Sequence, residues 1–175
     1  MIYTAHYDSP LGRLFLAADE EGLIGLWFEE AAHFADGLPT EREETETPVL
    51  AETKKWLDLY FRGQKPEFLP KLHPVGSNFR QEVWALLQEI PYGRTTTYGT
   101  LAKELARRQG RTTVSAQAVG GAIGHNRISI LIPCHRVVGS SGSLTGYAGG
   151  LEKKARLLEL EGVAMERFRW PEKRK

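Results

Sequence analysis

The spacing of hydrophobic positions changes along the chain from a period of two to a period of three to four. Residues 2–7 and 13–18 read as strands, joined by Asp8-Ser9-Pro10-Leu11-Gly12, which is turn chemistry. Asp19-Glu20-Glu21-Gly22 turns again into residues 23–28, which predicts a three-stranded meander. Residues 29–46 are acidic, carry no period and read as loop. Thr47 then suits a helix N-cap and Pro48 the first helical position. Val49, Leu50, Thr53, Trp56, Leu57, Tyr60 and Phe61 keep helical spacing, and Gly63 stands where a glycine stop belongs. Pro66, Pro70 and Pro74 punctuate a linker, which divides the chain into a domain over residues 1–73 and a second over 74–175.

The second half is helical in period. Asn78 with Gln81 resembles a capping box, and Phe79, Val83, Leu86, Leu87 and Ile90 form a stripe that stops at Pro91. A helix over residues 97–108 places Tyr98, Leu101, Ala102, Leu105 and Ala106 on one face. A short turn at 109–113 leads to a third helix at about 115–123, and the pair reads as helix-turn-helix. The fold class is α/β in the α+β sense: a small sheet-plus-helix domain followed by a mostly helical one.

The third helix has an inward face of Val119, Ala122 and Ile123, but Ala116, Gln117, Ala118, Gly120, Gly121 and Gly124 make up the rest. Each interior glycine costs up to about 1 kcal/mol against alanine. Close packing against another helix is one reason for so bare a face. Entry into a nucleic-acid minor groove is the other, because that groove is only about 6 Å wide and an ordinary helix is roughly 10–12 Å across.

Composition narrows the class. The chain has 175 residues, 41% of them hydrophobic and 26% charged, so it can bury a core and is not a disordered chain. No apolar run, 128–132 with Ser129 inside it included, approaches the ~20 residues of a membrane span, and residues 1–6 show no signal peptide. The net charge of +1 hides a split: residues 1–73 hold 7 Lys/Arg against 14 Asp/Glu, whereas 74–175 hold 16 against 8. The last five residues, Pro-Glu-Lys-Arg-Lys, supply only +2 of the resulting +8. That polarity fits a polyanion partner for the second half, or charges scattered over two solvated faces.

One cysteine forms neither an internal disulfide nor a multi-cysteine zinc site, and it fits a reducing cytoplasm. His6, His33 and His73 lack neighbours at metal-ligand spacing. Cys134 follows the apolar run 128–132 and is followed at once by His135 and Arg136, both of which favour a thiolate. A structural cysteine also fits such a run. In an extended segment adjacent side chains point to opposite faces, so Cys134 and His135 need a bend or a bridging water to communicate. Glu161 shares the face of the last helix that carries Lys154, Leu157 and Leu158, just before Gly162. The helix dipole disfavours an anion there, which calls for a cationic partner unless the last turn is frayed and exposed. Tyr98 is either the apolar start of its helix or a buried phenol in need of a partner.

The stretch Ile132-Pro133-Cys134-His135-Arg136-Val137-Val138-Gly139 resembles the active-site signature of the O6-alkylguanine-DNA alkyltransferases. The likeness extends through residues 91–98, Ala118-Val119-Gly120-Gly121-Ala122, Asn126, 146–151 and 157–162, and covers essentially all of 75–163. The first 70 residues fit in outline, as the family's ribonuclease-H-like N-terminal domain. The resemblance implies single-turnover, irreversible transfer of an alkyl group from guanine O6 in DNA to cysteine, after the damaged nucleotide is flipped out of the stack. Cys134 is then the nucleophile, and His135 takes its proton through a water. Glu161 orients His135, Tyr98 donates toward guanine N3, and Asn126 braces the turn. Val137 and the Cys134 backbone would read the base edge, with Tyr147, Ala148 and Gly149 lining the alkyl pocket. Ala116, Gln117, Ala118 and Gly120 would meet DNA, and Arg136 and Lys154 join these as DNA- or substrate-binding positions. The partner is double-stranded DNA containing O6-alkylguanine. No cofactor, no metal, no membrane and no obligate protein partner is expected, and the chain is expected to be a cytoplasmic monomer.

Two departures from the family pattern stand out. Gln117 occupies the place where an arginine commonly fills the gap left by the flipped base. The N-terminal domain has no cysteine, whereas some members bind zinc there through cysteines. A damage-binding module without chemistry would lack Cys134. A cysteine hydrolase would turn over, would need an oxyanion site, and would leave the Ala/Gly helix unexplained.

Overall fold

The computed structural model describes residues 1–170; the basic tail at 171–175 lies outside the described residues. Two compact units divide the chain, one of Met1–Val75 with Arg127–Leu131, the other of Gly76–Asn126 with Ile132–Lys175. Arg127–Leu131 thus packs with the first unit.

In the first unit, β1 (Tyr3–Ser9), β2 (Gly12–Ala18) and β3 (Leu23–Phe28) form the antiparallel meander. The first hairpin is tight, with Ser9 opposite Gly12. A fourth strand, β4 (Glu43–Glu44), adds in parallel to β1, giving the order β3-β2-β1-β4. The acidic stretch 29–46 is thus not all loop. β4 is two exposed glutamates held by main-chain bonds such as Glu43 N–H to the Ile2 carbonyl at 2.8 Å, so no side-chain period announces it. The proline-punctuated stretch also joins the sheet edge, where Leu23 N–H donates to the Lys71 carbonyl and His73 N–H to that of Leu23. Helix α1 (Pro48–Phe61), capped by Thr47, buries Leu50, Trp56, Leu57 and Tyr60. Arg127–Leu131 belongs to this unit because Leu26 N–H donates to the Arg127 carbonyl and Ser129 N–H to that of Leu26, at 2.8 and 2.9 Å.

The second unit is helical. Helix α2 (Asn78–Gln88) starts one residue earlier than the apparent capping box: Ser77, not Asn78, is the N-cap, and its Oγ accepts from Arg80 N–H at 3.2 Å. The Gln81 side chain donates instead to the Gly76 carbonyl. A larger residue does not fit at Gly76, since a Cβ there would lie 2.6 Å from the Trp84 ring. Helix α3 (Tyr98–Gln109) is capped by Thr97 and stopped by left-handed Gly110, and α4 (Ala116–Gly124) is capped by Ser115. The buried indole of Trp84 ties α2 to α4 through a 2.9 Å bond to the Ala122 carbonyl. Strands β5 (Thr96–Thr97) and β6 (Val137–Val138) pair in parallel, and α5 (Leu151–Leu160) follows. Val138, Leu144, Ala155, Leu158 and Val163 form one core cluster. Among the described residues, no helix is long and apolar enough to cross a membrane.

Candidate active site

Cys134–Arg136 forms a single turn of 3-10 helix, not the extended segment that the preceding apolar run suggests. Arg136 N–H closes it onto the Pro133 carbonyl at 3.0 Å, so the backbone bends at Cys134 and His135. Asn126 braces the turn from α4's end: its Nδ2 donates to the Ile132 carbonyl at 2.8 Å and to Cys134 Sγ at 3.2 Å. Cys134 is 5% exposed. Burial pushes its thiol above the usual range, opposed by the Asn126 bond and the Lys154 charge, so the resting group is a thiol.

The side chains of His135 and Glu161 are fully buried, with Nε2 and Oε2 2.6 Å apart. Glu161 stands at the C-terminal end of α5, and it is buried, not frayed. Burial alone would raise its carboxyl, but hydrogen bonds and charge from His135 and Arg136 outweigh that and hold it at about 2. An ionised carboxylate only accepts, so Nε2 carries the proton and Nδ1 is the unprotonated ring nitrogen. Burial keeps the imidazole below its usual range, against the pull of Glu161, so it rests as a neutral base.

Arg136 is placed inside the protein and not on a DNA-facing surface. Its Nε donates to Glu161 Oε1 at 2.8 Å, its NH1 donates to the Ile90 carbonyl at 2.7 Å, and it lies over the Tyr92 ring. These guanidinium partners are all internal, which is why a DNA-contacting role does not fit it. Gly93 N–H completes the carboxylate's shell at 2.9 Å. Gly93 has φ +77°, and a Cβ there would sit 3.1 Å from the Glu161 carbonyl oxygen, which accounts for a glycine in the Pro91-Tyr92-Gly93-Arg94 turn. Sequence reasoning missed both partners; the turn glycine was the available signal.

A second group gathers on one carbonyl. Tyr98 Oη donates to the Thr145 carbonyl at 3.1 Å, and Lys154 Nζ donates to the same oxygen at 2.6 Å. Lys154 is buried rather than solvent-facing, and burial lowers its ammonium to about 8. Burial raises the Tyr98 phenol, partly offset by the Thr145 bond. Tyr98 is thus a partnered phenol. Thr145 itself left no mark in the sequence, because only its main chain takes part.

Ala116, Gln117 and Ala118 lie exposed on α4, and a Cβ at Gly120 would meet the Tyr98 ring at 3.8 Å, an ordinary contact. A Cβ at Gly121 or Gly124 would meet open space. Packing within the chain therefore does not require these two glycines. Val137 is fully buried in β6, which leaves its main chain as the part able to meet a base. Tyr147, Ala148 and Gly149 form the half-buried bend before α5. Among the described residues, no group of three or more His, Cys, Asp or Glu is placed to hold a metal ion.

Comparison with known proteins places both halves of the chain in one family. Residues 78–163 match the DNA binding domain of 6-O-methylguanine DNA methyltransferase, and residues 2–73 its ribonuclease-like domain. The methylated-DNA–protein-cysteine methyltransferase of Methanosarcina acetivorans is 42% identical over 92% of this chain and 99% of its own. That of Haemophilus influenzae is 39% identical over 93% and 87%. The crystal structure of Mycobacterium tuberculosis OGT in complex with DNA superposes with a TM-score of 0.77 at 38% identity, covering 95% of this chain and 94% of that one. Both halves of the chain and the sequence around its cysteine lead to one assignment: it belongs to the 6-O-methylguanine DNA methyltransferase family.

Proposed function

We propose that this chain repairs alkylated DNA by direct reversal, moving a methyl or larger alkyl group from guanine O6 to Sγ of Cys134. The observation that carries the reading is a buried Cys134 followed in sequence by a neutral histidine whose Nε2 is fixed on a buried, ionised glutamate. The thiol proton passes to His135 Nδ1, by way of a water where the two do not touch. The sulfur attacks the alkyl carbon, the S–C bond forms as the C–O6 bond breaks, and the electron pair leaves with the base. Tyr98 supplies a proton at guanine N3 as that charge develops, and the proton from Cys134 restores the balance. The products are a neutral guanine and a thioether that no group here can cleave, so each chain acts once.

The target base must leave the stack to reach Cys134, and the Ala/Gly face of α4 suits entry into a widened minor groove. Gln117 stands where a side chain fills the vacated place, and the bend 147–149 lines the alkyl pocket. The main chains of Cys134 and Val137 read the base edge. The partner is double-stranded DNA, and the protein acts as a monomer without cofactor in a reducing cytoplasm.

Intact-mass measurement after incubation with a duplex containing one O6-methylguanine tests this. One methyl is expected, on Cys134, with no further reaction. Cys134→Ser keeps DNA binding and loses transfer, and His135→Ala slows transfer by about 10²–10⁴-fold. Repeated turnover by one chain overturns the proposal.

A further inference from the structure

A cavity of about 210 Å³ lies within the first unit and shares no residue with the Cys134 cluster. Ile24, Trp27, Leu38 and Pro39 give it apolar walls, and Ile24 and Trp27 join these to a core cluster with Phe15 and Ala17. Asp19, Asp36 and Arg127 also line it. Neither carboxylate is free: Asp19 Oδ1 accepts from the N–H groups of Glu21 and Gly22 at 2.8 and 3.0 Å, its Oδ2 lies 2.7 Å from His73 Nδ1, and Asp36 has a partner of its own. Arg127 is different. Its carbonyl accepts from Leu26 N–H, which anchors the residue to the sheet. Its guanidinium lies against Gly37, where a Cβ would come 2.7, 2.8 and 2.9 Å from NH2, Cζ and NH1. A glycine at φ +74° leaves that place open. Yet among the described residues this side chain makes no hydrogen bond or ion pair, and its Nε is buried without an acceptor. A buried donor of this kind is costly until an acceptor meets it.

We propose that this cavity binds a small carboxylate carried on an apolar ring or short chain. The two oxygens meet the Nε–NH2 edge of Arg127 as a bidentate fork, and the body lies along the apolar walls. Charge selects the anion, because Arg127 is the charged lining residue that the fold leaves unpaired. Geometry selects a carboxylate, since a guanidinium presents parallel N–H groups at the spacing of its two oxygens. The walls select a body, because a bare inorganic ion would leave them unfilled. Sites for drug-sized ligands span about 300–1,000 Å³, so 210 Å³ suits one ring and is too small for a nucleotide. The site takes no part in the alkyl transfer, and its test needs no DNA.

Benzoate is the probe, titrated into the full chain and followed by calorimetry and by the ¹H–¹⁵N signal of the Arg127 Nε–H, which is assigned through its loss in Arg127→Lys. Saturable binding is expected, and the signal moves downfield as the Nε–H gains a charged acceptor. Arg127→Lys keeps the charge but not the fork, and it weakens benzoate by roughly tenfold or more. Benzamide, with the same ring and no charge, and inorganic phosphate, with charge and no ring, each bind the parent chain by roughly the same factor more weakly. These two comparisons use the parent chain alone and stand even where the variant misfolds. Benzamide or phosphate binding as tightly as benzoate overturns the assignment, as does an Nε–H signal that stays in place on titration. Benzoate affinity unmoved by Arg127→Lys in a folded variant overturns it as well.

Discussion

A carboxylate at the C-terminal end of a helix meets the wrong end of the dipole, and Glu161 holds that position because Arg136, His135 and Gly93 N–H converge on it. Its folded pKa of about 2 lies below the ordinary 4.5, so folding favours the ionised form. That contribution is complete above pH 4.5 and is lost as pH falls from 4.5 toward 2. Arg136→Met removes the guanidinium and leaves the hydrogen bonds from His135 and Gly93. It is expected to cost about 3–5 kcal/mol at neutral pH, as for a broken buried pair, and to flatten the acid dependence across that window. Denaturant unfolding over a pH series measures both, and a variant with the parental profile would show that Arg136 does not hold the carboxylate. The position of Arg136 beside Cys134 made a thiolate or DNA contact the natural expectation. Its real partners lie 25 and 46 residues away in sequence, at Glu161 and Ile90, and no local pattern reaches that far.

Elements with a strong period were legible: α1, α3 and α4 lie within a residue or so of their expected places, with Thr47, Thr97 and Ser115 at their caps. Those held by main chain alone were not. β4 has no apolar face, and the turn at Cys134 interrupts a buried run that reads as strand. Helix α4 shows a composition that stability does not explain. Gly121→Ala is expected to raise stability by up to about 1 kcal/mol, because its new methyl meets open space. Ala118→Leu keeps a good helix former yet thickens the exposed face, so it should weaken duplex binding while leaving transfer from the free base O6-methylguanine intact. Thermal unfolding and a duplex-binding titration separate the two effects. Duplex affinity unmoved by Ala118→Leu would remove α4 from the interface.

On the scale of the whole chain, composition exposed the acidic and basic halves, but the return of Arg127–Leu131 to the first unit was hidden, because an apolar run does not say which sheet it joins. A fragment starting at residue 76 loses Leu26, the main-chain partner of Arg127 and Ser129. Ile128 is fully buried, and exposing such a side chain costs about 1.5–3 kcal/mol. The fragment should therefore unfold at lower denaturant than the full chain, and equal midpoints would show the segment to be dispensable. The seating of Cys134 has a consequence of another kind. The residue is 5% exposed, and its sulfur lies 3.2 Å from the Asn126 amide, which also holds the Ile132 carbonyl. Under the proposed reaction the sulfur that takes the alkyl group is the one this amide holds, so alkylation acts directly on a contact that braces the turn. Repair of this kind is expected to write its own record into the turn at Cys134, and a difference in unfolding midpoint between alkylated and fresh chain would read it.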